Sequence, residues 1–241
     1  METQLVYIAI LSILGSGIGA MTGFGTATIM TPLLLLFLPL SEAVLLAGII
    51  HMFASLWQIL LFREGIRWRL LFAFGAPGMI TSFIGGSIYL NVPSGIISRA
   101  LGGFLVIYVL FILANPHFRL RQGTLTSSVG GASYGFLAGI FGIGGAVRAV
   151  FLSAFDLPKA IYIATSGAIA LLIDSTRIAA YFAGGTRLEP LIYLGLLIFI
   201  PASLLGSIAG KKIAERVPQD KFRFLVAAFI FLAGLNLAAF P

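Results

Sequence analysis

The sequence contains no cysteine. That excludes disulfide staples, thiolate metal sites, iron–sulfur clusters and cysteine nucleophiles. It has two histidines, His51 and His117, too few for a histidine-built metal site. Charge is scarce as well. Only 10% of the 241 residues are charged, against about 25% in an ordinary globular domain. Just eight residues are acidic, and Asp174 alone sits well inside an apolar run. No carboxylate dyad can form there, and no serine has a well-placed histidine, so an intramembrane hydrolase is not expected. The sequence also lacks a Gly-x-x-x-x-Gly-Lys-Ser/Thr run, which argues against direct ATP drive within this chain. No cofactor is expected.

What is present is apolar. Hydrophobic residues make up 59% of the chain, and the mean hydropathy is +1.08. A soluble protein of this size cannot bury that much apolar surface. The apolar segments run for about 20 residues, the length of a helix crossing a bilayer. They do not show the alternating ten-residue pattern of an outer-membrane barrel. The expected fold class is an all-α polytopic membrane protein. The net charge of +7 falls mostly in short loops between apolar runs, where the positive-inside rule accounts for it. No basic face combines with aromatics, so nucleic acid is not an expected partner. The opening Met1-Glu2-Thr3-Gln4 lacks the positive start of a signal peptide, so the first apolar stretch is expected to remain in the mature chain.

Polar residues divide the chain into apolar pieces at 4–38, 42–62, 70–90 and 96–114, then a polar stretch at 115–128. Further pieces follow at 129–157, 158–182, 188–209 and 221–240. The first is broken by glycines at Gly15, Gly17, Gly19, Gly23 and Gly25, the fifth by Gly139, Gly142, Gly144 and Gly145. The halves repeat. A shift of 119 residues puts Gly23-Phe24-Gly25 on Gly142-Ile143-Gly144, Leu38-Pro39 on Leu157-Pro158, and Gly65 on Gly184. A shift of 124 puts Pro77 on Pro201, Gly86 on Gly210 and Arg99 on Arg223, and Pro93 meets Pro218 at 125. The predicted repeats are 1–122 and 123–241, an internal duplication common among transporters.

Loop charge relates the halves. With each glycine-broken piece as a single crossing, Lys and Arg in the loops divide six against seven, with no bias. With each broken piece as a hairpin, one side holds Arg63, Arg67, Arg69, Arg119, Arg121, Lys159, Lys211, Lys212, Arg216, Lys221 and Arg223. The other side then holds only Arg99 and Arg187. The positive-inside rule selects the second arrangement. It predicts two inverted-topology repeats, each a glycine-broken helical hairpin plus three transmembrane helices. Both termini then lie outside the cytoplasm. Hairpins that span fully and hairpins that re-enter fit equally well.

A glycine break inside an apolar run frees backbone N–H and C=O groups, which are costly in lipid unless something satisfies them. Short helices starting after Gly25 and Gly144 would aim their N-termini at the breaks, an arrangement suited to an anion. Gly23, Gly25, Gly142, Gly144 and Gly145 are therefore candidate substrate-binding residues, with Thr26 placed to offer a hydroxyl. Close helix packing is the competing role for any single glycine.

Arg148, Asp174 and Arg177 also lie inside apolar segments, where a charge costs at least about 2.5–3.5 kcal/mol and so faces a cavity or a partner. Asp174 and Arg177 are spaced i,i+3 and can pair. The 119 shift maps them to Ser55 and Gln58, so this face is polar in both halves. Arg148, Arg177 and Gln58 are candidate anion contacts. Asp174 and His51 are candidate carriers of a coupling proton. The competing readings are an Asp174–Arg177 pair that only locks the bundle, a packing role for His51, and an Arg148 that reaches the interface. Trp57, Trp68 and Tyr89 read as interface anchors or packing.

These motifs resemble the TauE/SafE family of sulfite exporters and related permeases, over essentially the whole chain. That family carries a Gly-x-Gly-Gly-Gly-type motif near the start of each half, followed by apolar residues and proline. Here the copies read Gly23-Phe24-Gly25-Thr26-Ala27, with Pro32 following, and Gly142-Ile143-Gly144-Gly145-Ala146. Gly65-Ile66-Arg67-Trp68-Arg69 and Gly75-Ala76-Pro77-Gly78 resemble the family's stretch between its second and third segments. The first copy lacks two of the glycines, and the second has Phe151 in place of Pro32 and gains Arg148. The resemblance implies a cell-membrane permease that exports a small sulfur-containing anion such as sulfite or an organosulfonate. Its partners would be that anion and the lipid bilayer, with a homo-oligomer possible. The alternatives are a permease for a cation or another small solute, and a non-transporting assembly subunit. Two intramembrane arginines against one aspartate favour the anion.

Overall fold

A computed structural model describes residues 2–62, 65–88, 94–115 and 121–239. Arg63, Tyr89, Pro93, Pro116, His117 and Arg119 lie outside the described residues. Those described form ten helices and no strand: α1 (Glu2–Thr22), α2 (Thr26–Leu34), α3 (Leu40–Leu61), α4 (Trp68–Ile88), α5 (Ser94–Ala114), α6 (Thr124–Phe141), α7 (Gly145–Ala154), α8 (Lys159–Ala183), α9 (Pro190–Arg216) and α10 (Gln219–Ala239). Five contain runs long and apolar enough to cross a bilayer: Gln4–Thr22, Leu40–Leu61, Trp68–Ile88, Lys159–Ala183 and Pro190–Arg216. Large apolar side chains such as Leu194, Leu197, Ile107 and Ile80 point outward. The polytopic, all-helical expectation holds.

Local chemistry sets the helix ends. α1 stops at Gly23 and α6 at Gly142, with φ of 77° and 72°. That left-handed conformation is open to glycine at little cost and terminates a helix. The short helices α2 and α7 then begin at Thr26 and Gly145, and α3 and α8 follow directly on Pro39 and Pro158. Each of these pairs is 119 residues apart. Two boundaries differ from the sequence reading. α6 starts inside the stretch read as polar, because Ser127 is buried in the bundle and Ser128 bonds across to α4. α9 runs past Ala209 to Arg216, carrying Lys211 and Lys212 on a helical extension.

The hairpins are real folds of the backbone. A Cβ on Gly15 would meet Met30 and the Thr26 carbonyl, so α2 doubles back along α1. Small residues then let whole helices approach. Along α6, Cβ atoms on Gly131, Gly135 and Gly139 would strike the carbonyls of Phe74, Gly78 and Ser82 on α4. On α9, Gly206 and Gly210 meet the carbonyls of Ile13 and Gly17 on α1 in the same way. Both contacts advance four residues on each helix, so each pair runs parallel, with small residues spaced for close packing in lipid. Pro77 removes the N–H that would have bonded the Ala73 carbonyl. Ser128 of α6 replaces it, donating to that carbonyl at 3.1 Å.

α3 and α8 run antiparallel. Gly48 faces Arg177, His51 faces Asp174, and Gly167 faces Gln58. The 119 shift carries Gly48 to Gly167 and Gln58 to Arg177, so the outer two contacts are one contact made by each half.

The α4–α6 seam gives a direct test. Gly135→Leu is expected to lower stability by about 1–3 kcal/mol, the cost of overpacking. Gly103, which has open space where its Cβ would be, should accept leucine within about 0.5 kcal/mol. Thermal unfolding of both variants in detergent checks the contrast. Equal effects would mean the seam tolerates a side chain.

Candidate functional site

The two breaks meet in the centre of the bundle. A Cβ on Gly145 would lie 3.3 Å from Thr28 Oγ1 and 3.8 Å from Phe24 Cβ. One on Gly142 would lie 3.0 Å from Thr31 Oγ1 and 3.1 Å from Arg177 Nη1. Between them is a cavity of about 10 Å³, lined by residues that include Gly25, Thr28, His51, Tyr134, Gly142, Gly145, Asp174 and Arg177. That volume holds about one water. The starts of α2 and α7 both open onto it. Within each helix the first N–H groups have no intrahelical partner, so the cavity faces two positive helix ends.

Three ionisable side chains line this point, His51, Asp174 and Arg177, and Arg148 stands behind Tyr134; none is more than 3% exposed. Asp174 is held from two sides. His51 Nδ1 lies 2.7 Å from its Oδ2, and Arg177 Nη2 donates to Oδ1 at 2.7 Å. Arg177 Nη1 also donates to the Ala138 carbonyl at 3.3 Å. Arg148 has no carboxylate among the described residues. Its Nη1 donates to the Tyr134 hydroxyl at 2.9 Å and its Nη2 to the Gly23 carbonyl at 3.0 Å. Ser166 donates to the same carbonyl at 2.6 Å. Both arginines thus satisfy carbonyls at the C-terminal ends of broken helices, where a cation is favoured. Two guanidiniums face one carboxylate, an excess of one positive charge before any contribution from His51.

Polar capacity remains around this charge. The Nε of Arg148 and of Arg177, His51 Nε2, and the hydroxyls of Thr28, Thr31, Ser55 and Tyr162 are buried with no hydrogen-bond partner among the described residues. Away from the cavity, further along α3, both ends of the Gln58 amide are likewise unpaired among the described residues. A buried donor or acceptor left unpaired costs about 1–3 kcal/mol. The arrangement is suited to a small polar guest that is negative overall.

A family model for the sulfite exporter TauE/SafE matches residues 8–237. The chain belongs to this family of membrane permeases. A probable membrane transporter protein of Methanocaldococcus jannaschii is 25% identical over 185 residues, 71% of this chain and 68% of that one. No solved structure matches. Both descriptions are of membrane transport, and the five candidate spans are those of a multi-pass membrane protein.

The permease brings most of the residues singled out in its sequence to one place. Gly23, Gly25, Gly142 and Gly145 form the meeting breaks, beside His51, Arg148, Asp174 and Arg177. Gly144 instead packs on the backbone of Tyr134 and Ala138. Thr26 donates its hydroxyl to the Gly15 carbonyl at 3.0 Å, inside the first hairpin, and Thr28 takes the position on the cavity. Gln58 is buried further along α3, against Gly19 and Gly167. Trp57 donates to Ser203 at 3.0 Å, a packing role, whereas Trp68 is exposed. Tyr134 was not singled out, although a lone phenol among Gly130, Gly131, Gly135 and Gly139 is a signal of a polar contact in a packed seam.

Proposed function

We propose that this permease is a secondary transporter that exports a small anion of the sulfite or organosulfonate kind. The observation that carries the reading is the positive excess at the meeting of the two breaks, with unpaired donors on Arg148, Arg177 and the threonines. The sulfur chemistry comes from the family's description. Export is favoured by a negative cell interior, worth about 2.3 kcal/mol per charge per 100 mV. The matched helix starts, the symmetric α3–α8 contact and the loop charges support two inverted repeats, at 1–122 and 123–241. In that arrangement the anion is held near the midplane and both termini lie outside the cytoplasm. The central cavity, with room for about one water, reads as a closed state that must widen to admit the anion, and alternating access is a movement of one repeat against the other. The His51–Asp174 pair is the place for a coupling proton.

The test is flux through proteoliposomes of inserted, folded protein. Sulfite, sulfate, thiosulfate and a small sulfonate are compared, with and without an imposed pH gradient. Saturable flux of one or more of these anions is expected. Cation flux with no anion flux would overturn the reading.

A further inference from the structure

A second cavity, of about 230 Å³, lies far from the central charges, at the end of the bundle where α4 and α6 begin. Arg67, Arg69 and Ala73 line one side of it, Gln122, Thr124 and Ser127 the other. We propose that it holds the phosphate of an anionic phospholipid, with the acyl chains lying along α4 and α6.

Three observations carry this. First, the cavity is cationic. Both arginines are exposed, and no carboxylate among the described residues pairs with either guanidinium. Because α4 and α6 run parallel, their N-termini also add at this one end. Second, its walls are fixed. The Arg67 N–H donates to Thr165 of α8 at 3.1 Å, Gln122 donates to the Phe155 carbonyl at 2.7 Å, and Ser128 ties α6 to α4. Third, the site borders the apolar surface. Trp68 and Phe72 are 61% and 62% exposed and stack with ring centroids 6.2 Å apart, and Leu125 of α6 is 78% exposed. An exposed tryptophan beside arginines marks the headgroup level of a bilayer. A free cytosolic anion would use the cationic cavity but not the apolar strip that continues from it. Basic pockets between transmembrane helices bind anionic headgroups in this way.

The experiment uses the full chain in detergent micelles, with thermal unfolding read during titration. The probes are phosphatidylglycerol, phosphatidylcholine and inorganic phosphate. Phosphatidylglycerol is expected to raise Tm saturably while the other two do not. In R67Q/R69Q its midpoint concentration should rise about thirtyfold. K211Q/K212Q removes the same charge elsewhere and should leave the midpoint unchanged. Thr124→Glu places a carboxylate in the cavity while suiting the start of α6, so it should weaken binding without harming the fold. It decides the matter should R67Q/R69Q prove unstable. Equal midpoints in the native protein and in whichever of these two variants folds would overturn the proposal. So would equal loss in K211Q/K212Q, or an equal rise in Tm from inorganic phosphate.

Discussion

Arg148→Gln is expected to cut anion flux by roughly thirtyfold or more. Truncating one partner of a buried charge contact costs about 2–5 kcal/mol, and about 1.4 kcal/mol is a factor of ten. Arg148 is the right residue to remove because its charge is uncompensated. Asp174 is already held by His51 and Arg177, whereas among the described residues Arg148 meets no carboxylate and donates to the neutral Tyr134 hydroxyl and Gly23 carbonyl. The fold should survive. The Gly23 carbonyl keeps its bond from Ser166, and a glutamine amide can donate in place of the guanidinium. Arg148→Lys keeps the charge but not the fork of donors, so it should fall between the two. Flux is measured in proteoliposomes, alongside thermal unfolding in detergent. Native flux from folded R148Q would remove Arg148 from the path and leave it a cap on the first break.

Much of this site is legible in the sequence because it depends on local chemistry. Glycine in an apolar run permits a helix break, and breaks occur at Gly23 and Gly142 with nearly the same φ, whereas Gly15, Gly17, Gly19 and Gly139, read as breaks too, sit inside α1 and α6 and serve close packing. Prolines 39 and 158 mark the next helix starts for the same local reason. Asp174 and Arg177 share a helix face by spacing alone, and they pair. What is not legible depends on how helices are rotated against one another. His51 reaches Asp174 only because α3 and α8 cross antiparallel in one register, which Gly48 and Gly167 permit by admitting Arg177 and Gln58. In sequence Thr26, next to the break, reads as the better placed hydroxyl, and Thr28 does not stand out. Folding α2 back on α1 turns the first toward Gly15 and the second toward the cavity. Arg148 likewise finds Tyr134 through the fold of the second hairpin and Gly23 through a contact between the two halves.

The symmetry between the halves stops at the charges, and that makes the Asp174–Arg177 pair a sharp test. In the other half the matching residues are Ser55 and Gln58, so the same helix crossing packs without an ion pair. Arg177→Gln and Asp174→Asn alone should each cost about 3–5 kcal/mol of stability, because each leaves a buried charge short of its partner. Together they should cost much less than the sum, since neutral groups of similar shape replace the pair. The coupling in the double-mutant cycle should then be at least about 2 kcal/mol, read by unfolding in detergent. His51 sharpens the outcome, because it still faces Asp174 when Arg177 is gone. If R177Q is the milder single variant, His51 is sharing the carboxylate. A double variant that folds but ignores a pH gradient would place the coupling proton on Asp174. Strictly additive losses would mean the pair does not act as a unit, and Arg177 would stand as a cap on the Ala138 carbonyl alone.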